Sequence, residues 1–204
     1  MSLAKTAMTR RMAAGVLAVG LSSAACSSGV DQSVRTEPSP DISSEASSSA
    51  EPTSPAPRPT PWPEPTRPDA MERDDIEGAK AAAEYFLALY PYVYATGDLE
   101  EWRAMSDPAC EFCEGAARHS TELFSAGGYG VGGEIEILGI GAAPPDEEWA
   151  HFRVGVDGIE SPSVEYSSNG EVLRTIAGGE VTYNFALLPT ENGWVVRGVN
   201  VSRL

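Results

Sequence analysis

Beyond its N-terminal region, this 204-residue chain lacks any stretch apolar enough to cross a bilayer, which takes about 20 apolar residues in a helix. It is also short of positive charge. Against 30 Asp and Glu stand 14 Lys and Arg, for a net charge of −16. Such a surface repels phosphate backbones and anionic headgroups, so nucleic acid is not an expected partner. Histidines and cysteines are few: His119 and His151, Cys26, Cys110 and Cys113. There is no His-Glu-x-x-His, no serine on a strand-to-helix elbow and no internal repeat. The common hydrolase signatures are therefore missing, and neither a metal nor a cofactor is expected.

What the chain does have begins at its N-terminus. Lys5, Arg10 and Arg11 precede an apolar run over residues 13–20, and Ser22, Ser23, Ala24 and Ala25 lead into Cys26. A positive segment, a short apolar core and small residues make a signal peptide, expected over residues 1–25. Without its three positive charges, the remaining chain stands near −19. The residues around Ser23 and Cys26 resemble the lipobox of bacterial lipoproteins, with Ser23 where that pattern usually has leucine. The resemblance implies a diacylglyceryl group on the Cys26 thiol and a lipid anchor on the extracytoplasmic face of the cell membrane. Two acyl chains, at about 0.8 kcal/mol per buried methylene, suffice for stable anchoring. The alternative is an ordinary secretory signal that leaves Cys26 as a spare thiol.

From Ser27 the composition turns to Ser, Pro, Thr, Ala and Glu, with few large apolar residues to offset the entropy of ordering. Residues 26–70 read as a disordered, partly polyproline-II linker, with Trp62 its only large aromatic. Fully extended at about 3.1 Å per residue, it would reach on the order of 140 Å. Residues 71–204 suit one folded domain.

That domain reads as helices followed by strands. Asp74, Asp75 and Glu77 precede Ala79, Ala82, Phe86, Leu89, Tyr90 and Val93 at helical spacing. Pro91 predicts a kink or break near Ala88, and Thr96-Gly97-Asp98 ends the helix. A short helix carries Leu99, Trp102 and Met105, and a third is expected from Ser106-Asp107-Pro108 towards Phe124. Strict alternation marks strands at Val181, Tyr183, Phe185 and Leu187, and at Phe152, Val154 and Val156. Ile135 and Ile137 mark an earlier strand, and Val195, Val199 and Val201 a last one. Asp157-Gly158, Asn169-Gly170 and Asn192-Gly193 read as hairpin turns. Helices first and a meander after argue α+β, with helices packed on a curved antiparallel sheet of about four main strands.

This order of elements resembles the nuclear-transport-factor-2-like (NTF2-like, or cystatin-like) cone. More narrowly, Glu77-Gly78-Ala79, Thr96-Gly97-Asp98, Cys110-Glu111-Phe112-Cys113 and Gly127-Gly128-Tyr129 are similar to an actinobacterial cell-envelope lipoprotein family of unknown function. The resemblance implies a fold and an envelope location, and no activity.

Cys110 and Cys113 are the sharpest internal signal. Outside the membrane, paired cysteines default to a disulfide, and residues one helical turn apart fit the usual Cα spacing of about 5 to 6 Å. A thioredoxin-like redox pair would need a strand-to-helix setting. Zinc would need further ligands, with His119 the nearest candidate. The glycine run from Gly127 lacks the Lys-Ser/Thr of a phosphate loop and reads as a mobile connection into the sheet, with Tyr129 as a possible gate. The remaining opportunity is a pocket inside the cone, with Phe86, Tyr90, Phe152, Tyr183 and Phe185 as inward candidates and no inward carboxylate evident.

Three readings of function follow. The first is a non-enzymatic envelope lipoprotein presenting a domain to a protein partner. The second is a pocket for a small apolar or lipid-like ligand. The third is an isomerase- or dehydratase-type enzyme, which an inward Asp or Glu beside Tyr90 or Tyr183 would favour.

Overall fold

A computed structural model describes residues 62–203. The expected signal peptide, Cys26 and most of the expected linker lie outside the described residues.

The first long helix, α1 (Ile76–Thr96), starts where the sequence places its acids. Asp75 is the N-cap, and its carboxylate accepts from the backbone N–H of Glu77 and Gly78 at 3.0 and 3.1 Å. Those bonds, the Gly78 one foremost, hold the Asp75 carboxyl below its ordinary range. The helix ends at Gly97, which takes φ 76° and donates its N–H to the Val93 carbonyl. A Cβ at that position would meet the Phe124 ring at 2.6 Å. Pro91 does not break the helix; α1 runs on through it to Thr96. The lost hydrogen bond and ring clash cost about 3 kcal/mol. Burial of the neighbouring Leu89, Tyr92 and Val93 offsets this, at about 1.5–3 kcal/mol for a fully buried large side chain.

Helix α2 (Glu100–Ala104) brings Trp102 inward, stacked on Phe86 with ring centroids 4.0 Å apart. The buried indole N–H finds an acceptor in the Cys113 carbonyl at 3.0 Å. Helix α3 (Glu111–Ser125) begins later than expected, with Cys110 as N-cap. Asp107 folds the preceding residues into a turn instead, accepting from the N–H of Ala109 and, through its carbonyl, of Cys110.

Seven strands follow among the described residues: β1 (Tyr129–Gly132), β2 (Ile135–Ala143), β3 (Phe152–Glu160), β4 (Ser163–Tyr166), β5 (Val172–Ile176), β6 (Gly179–Thr190) and β7 (Gly193–Arg203). The expected sheet is there, antiparallel in the order β2-β3-β6-β7. A second sheet, ordered β1-β4-β5, goes beyond the sequence expectation. The glycine run is thus partly strand, because β1 pairs with β4 from Tyr129 to Gly132. Asn169-Gly170 and Asn192-Gly193 fall at the β4–β5 and β6–β7 turns, as expected. Asp157-Gly158 is not a turn. It stays in β3 because β2 and β6 pair with it on both sides, and the chain leaves the ladder only at Ser161-Pro162.

One face of the main sheet packs against α1, and β7 also meets α3. Phe152, Val154, Val156, Val181, Tyr183, Phe185 and Leu187 all lie on that face, as their alternation requires. In β7 an extra residue, Arg197, interrupts the register. Trp194 and Val196 are buried before this bulge, and Val199 and Val201 turn inward after it, so Val195 is not a core residue.

The folded part also begins earlier than residue 71. Trp62 packs against the core, Arg67 pairs with Glu101 at 3.3 Å, and the Pro68 carbonyl caps Met71. An aromatic ring with a core to cover outweighs the Pro-rich composition that argues for linker.

Candidate binding cleft

The interior expected to be a pocket is filled. Phe86, Phe152, Tyr183 and Phe185 are each buried in the core, and Phe86 meets Phe185 edge-on at 6.3 Å. Tyr129 is no gate: it is buried and stacks on Tyr166 with centroids 5.3 Å apart. Of the six pocket candidates, Tyr90 alone lines the cleft beside the small sheet, and Phe185 lines a separate, shallower depression on the main sheet.

This cleft has a volume of about 170 Å³ and lies between the second half of α1 and the small sheet. Tyr90 and Tyr94 form one wall, with ring centroids 5.2 Å apart. Gly130 lets β1 pass close to them, since a Cβ there would stand 3.0 Å from that of Tyr94. The remaining walls carry charge from Glu160, Glu165, Arg174 and Arg203.

Each charged residue is placed by its strand. Glu160 continues the inward phase of Phe152, Val154 and Val156 to the end of β3, and is 3% exposed. Arg203 ends β7 at the same edge of the sheet and donates from Nη1 to Glu160 Oε2 at 2.5 Å. The Tyr183 hydroxyl, from β6 between them, donates to the same oxygen at 3.4 Å. Glu165 and Arg174 are cross-strand partners on β4 and β5, 3.8 Å apart. His119 reaches Glu165 from α3 at 2.9 Å. It is held there because the neighbouring Ser120, fully buried, donates to the Val93 carbonyl of α1 at 2.8 Å.

The electrostatics follow from burial. Desolvation pushes the Tyr90, Tyr94 and Tyr183 phenols up, and the carboxylates nearby push the same way. All three therefore stay neutral hydroxyls at physiological pH. The Glu160 hydrogen bond raises the Arg203 guanidinium above its already high value.

The absence of an inward carboxylate, expected from sequence, is thus corrected by Glu160 and Glu165. Reading Asp157-Gly158 as a turn cuts the β3 alternation short; extended by two more steps, it reaches Glu160. Glu165 and Arg174 flank the Asn169-Gly170 turn, but β5 is exposed and shows no alternation to mark its partner.

Elsewhere, Cys110 and Cys113 form a disulfide with Cα atoms 5.3 Å apart. Both are 1% exposed, whereas a redox pair must present a sulfur to its partner thiol. His119 is engaged by Glu165, and His151 lies beside Trp149, with ring centroids 5.5 Å apart. Among the described residues no group of three or more His, Cys, Asp or Glu could hold a metal ion, and no helix is long and apolar enough to cross a membrane.

No curated protein matches the chain. Among solved structures, the intermembrane space region of chloroplast protein ARC6 is similar over 65% of this chain and 99% of its own, at 11% identity with a TM-score of 0.49. Aln2 from a Streptomyces species is similar over 64% of this chain and 94% of its own, at 13% identity with a TM-score of 0.39. The family model of DUF6318, a family of unknown function, matches residues 48–199, and the chain belongs to that family.

Proposed function

We propose that this protein is an extracytoplasmic lipoprotein, anchored through Cys26, whose α+β domain is a non-catalytic binding module with an NTF2-like order of elements. The observation that carries the binding reading is the state of the cleft. Each of its buried carboxylates is already held by a cationic or polar partner, Glu160 by Arg203 and Tyr183, and Glu165 by His119 and Arg174. Acid–base catalysis needs a group within reach of substrate that is free to take up and give back a proton near neutral pH. The tyrosines, raised by burial, are donors that do not readily give up their proton. A cleft so arranged holds and orients; it does not shuttle protons. A buried disulfide suits an oxidising compartment, and the residues leading into Cys26 suit an anchor. The module then stands off the membrane, facing a partner in the envelope.

One observation favours catalysis of the isomerase type: Glu160 lies beside the Tyr183 hydroxyl, the arrangement such chemistry uses. Arg203 on the same carboxylate oxygen opposes it. The lipid-like ligand is disfavoured because four charged side chains line the cleft.

The test is the mass of the protein purified from its native membrane fraction, measured first under native and then under denaturing conditions. A diacylated Cys26 is the expected result. An unmodified Cys26, or a chain still carrying residues 1–25, would contradict the anchor.

A further inference from the structure

We propose that the cleft is a receptor for a carboxylate group, carried by a small organic acid or by the C-terminus of a peptide. This rests on reading the cleft as a binding site and names its ligand chemistry.

The two ion pairs share a polarity. In each the carboxylate is buried and the guanidinium faces out: Glu160 is 3% exposed against 48% for Arg203, and Glu165 is 9% against 57% for Arg174. An incoming molecule therefore meets cations, although the chain as a whole is strongly acidic. A cationic ligand would have to push both guanidiniums aside before it reached a carboxylate. An anion has no such obstacle.

The donors are also of the right kind. A guanidinium carries five N–H groups in a planar fork. Glu160 engages Arg203 through a single nitrogen, Nη1. Arg174 stands at ion-pair rather than hydrogen-bond distance from Glu165, so its fork is not tied down by that contact. Planar forks match the two oxygens of a carboxylate bidentately. Burial keeps the Tyr90 and Tyr94 hydroxyls protonated, and since Tyr94 donates to Tyr90, it is the Tyr90 proton that remains to meet an anion. Size limits the rest of the ligand. At about 30 Å³ per water in the liquid, a cavity of about 170 Å³ equals five or six waters. That suffices for a carboxylate and a short stub of chain, and leaves a longer molecule to continue outward past Arg174.

The experiment is a titration of the full chain in detergent, followed by the arginine Nε–H and backbone amide NMR signals. The probes are N-acetylalanine, its carboxamide, a tetrapeptide with a free C-terminus, the same peptide amidated, and inorganic phosphate. The acid and the free-ended peptide are expected to shift the signals of Arg174, Arg203 and Gly130, and the two amides not to. Tighter binding of the peptide identifies a chain end as the source, and equal binding a free acid. The exposed Arg174→Gln variant should keep its dispersed spectrum and bind the acid at least tenfold more weakly. Arg203→Lys, which keeps a charge for Glu160 but loses the fork, should weaken it as well. Equal shifts from the amides would overturn the carboxylate while leaving a binding cleft in place. Preference for phosphate, unchanged affinity in both variants, or no cleft shifts from any probe would overturn it too. None of these results bears on the acyl group at Cys26, which the native mass tests separately.

Discussion

The two sheets differ in what they do with their side chains. The β2-β3-β6-β7 sheet sends seven large residues of β3 and β6 into the buried core, where Phe86 and Trp102 stack beneath α1. The β1-β4-β5 sheet buries little: β5 is exposed over four of its five residues, including Val172 and Leu173. Yet the small sheet supplies Glu165, Arg174 and the glycine wall of the cleft. The main sheet packs the core and lends the cleft Glu160 and Arg203 from its strand ends. The small sheet, leaning on the same helix, supplies the other half of the cleft's charge and packs few side chains. This division is common where binding residues ride on weakly packed elements beside a rigid scaffold.

The contrast can be broken from the stable side first. Phe86→Ala removes a fully buried ring stacked on Trp102 and should cost about 3–5 kcal/mol in denaturant unfolding. A loss below about 1 kcal/mol would mean that the interior is not close-packed. Reducing the Cys110–Cys113 disulfide opens a very short loop, so the loss should be about 2 kcal/mol. A paired melt with and without reductant measures it.

Acid sharpens the comparison through the helix that both sheets share. The Asp75 carboxyl is lowered in the fold, chiefly by the Gly78 N–H. Its contribution is therefore fully present above the unfolded value of about 3.9 and is lost as pH falls through the lower folded value. Asp75→Asn keeps a capping oxygen but cannot titrate there. The difference in melting temperature between wild type and this variant should shrink as pH drops below about 4. A difference independent of pH would remove the charge from the cap.

The smallest effect belongs to the rim. Arg174→Gln should change stability by no more than about 0.5 kcal/mol, because the side chain is more than half exposed. A larger loss would show that the small sheet depends on this pair for its folding.

The stable region is legible in the sequence and the cleft is hidden there, for one physical reason. Periodicity reports burial. Phe86 and Leu89 on a helix, or Tyr183 and Phe185 on a strand, announce their face because the whole face is apolar. Gly97 and the cysteine pair are readable from local geometry. The cleft breaks the pattern that would reveal it. Glu160 is an acid at an apolar phase, Arg203 lies at a strand end, and Glu165 meets Arg174 only through a sheet with no alternating face. Trp62 misleads because the surrounding composition outweighs a single aromatic. Pro91 misleads because tertiary burial overrides a local breaker.

Native-state hydrogen exchange tests the division of labour most directly. Amides of β3 and β6 should exchange only with global unfolding, and those of β4 and β5 should exchange through openings of much lower free energy. Protection in β5 equal to that in β6 would contradict the account, because the two sheets would then form a single cooperative unit.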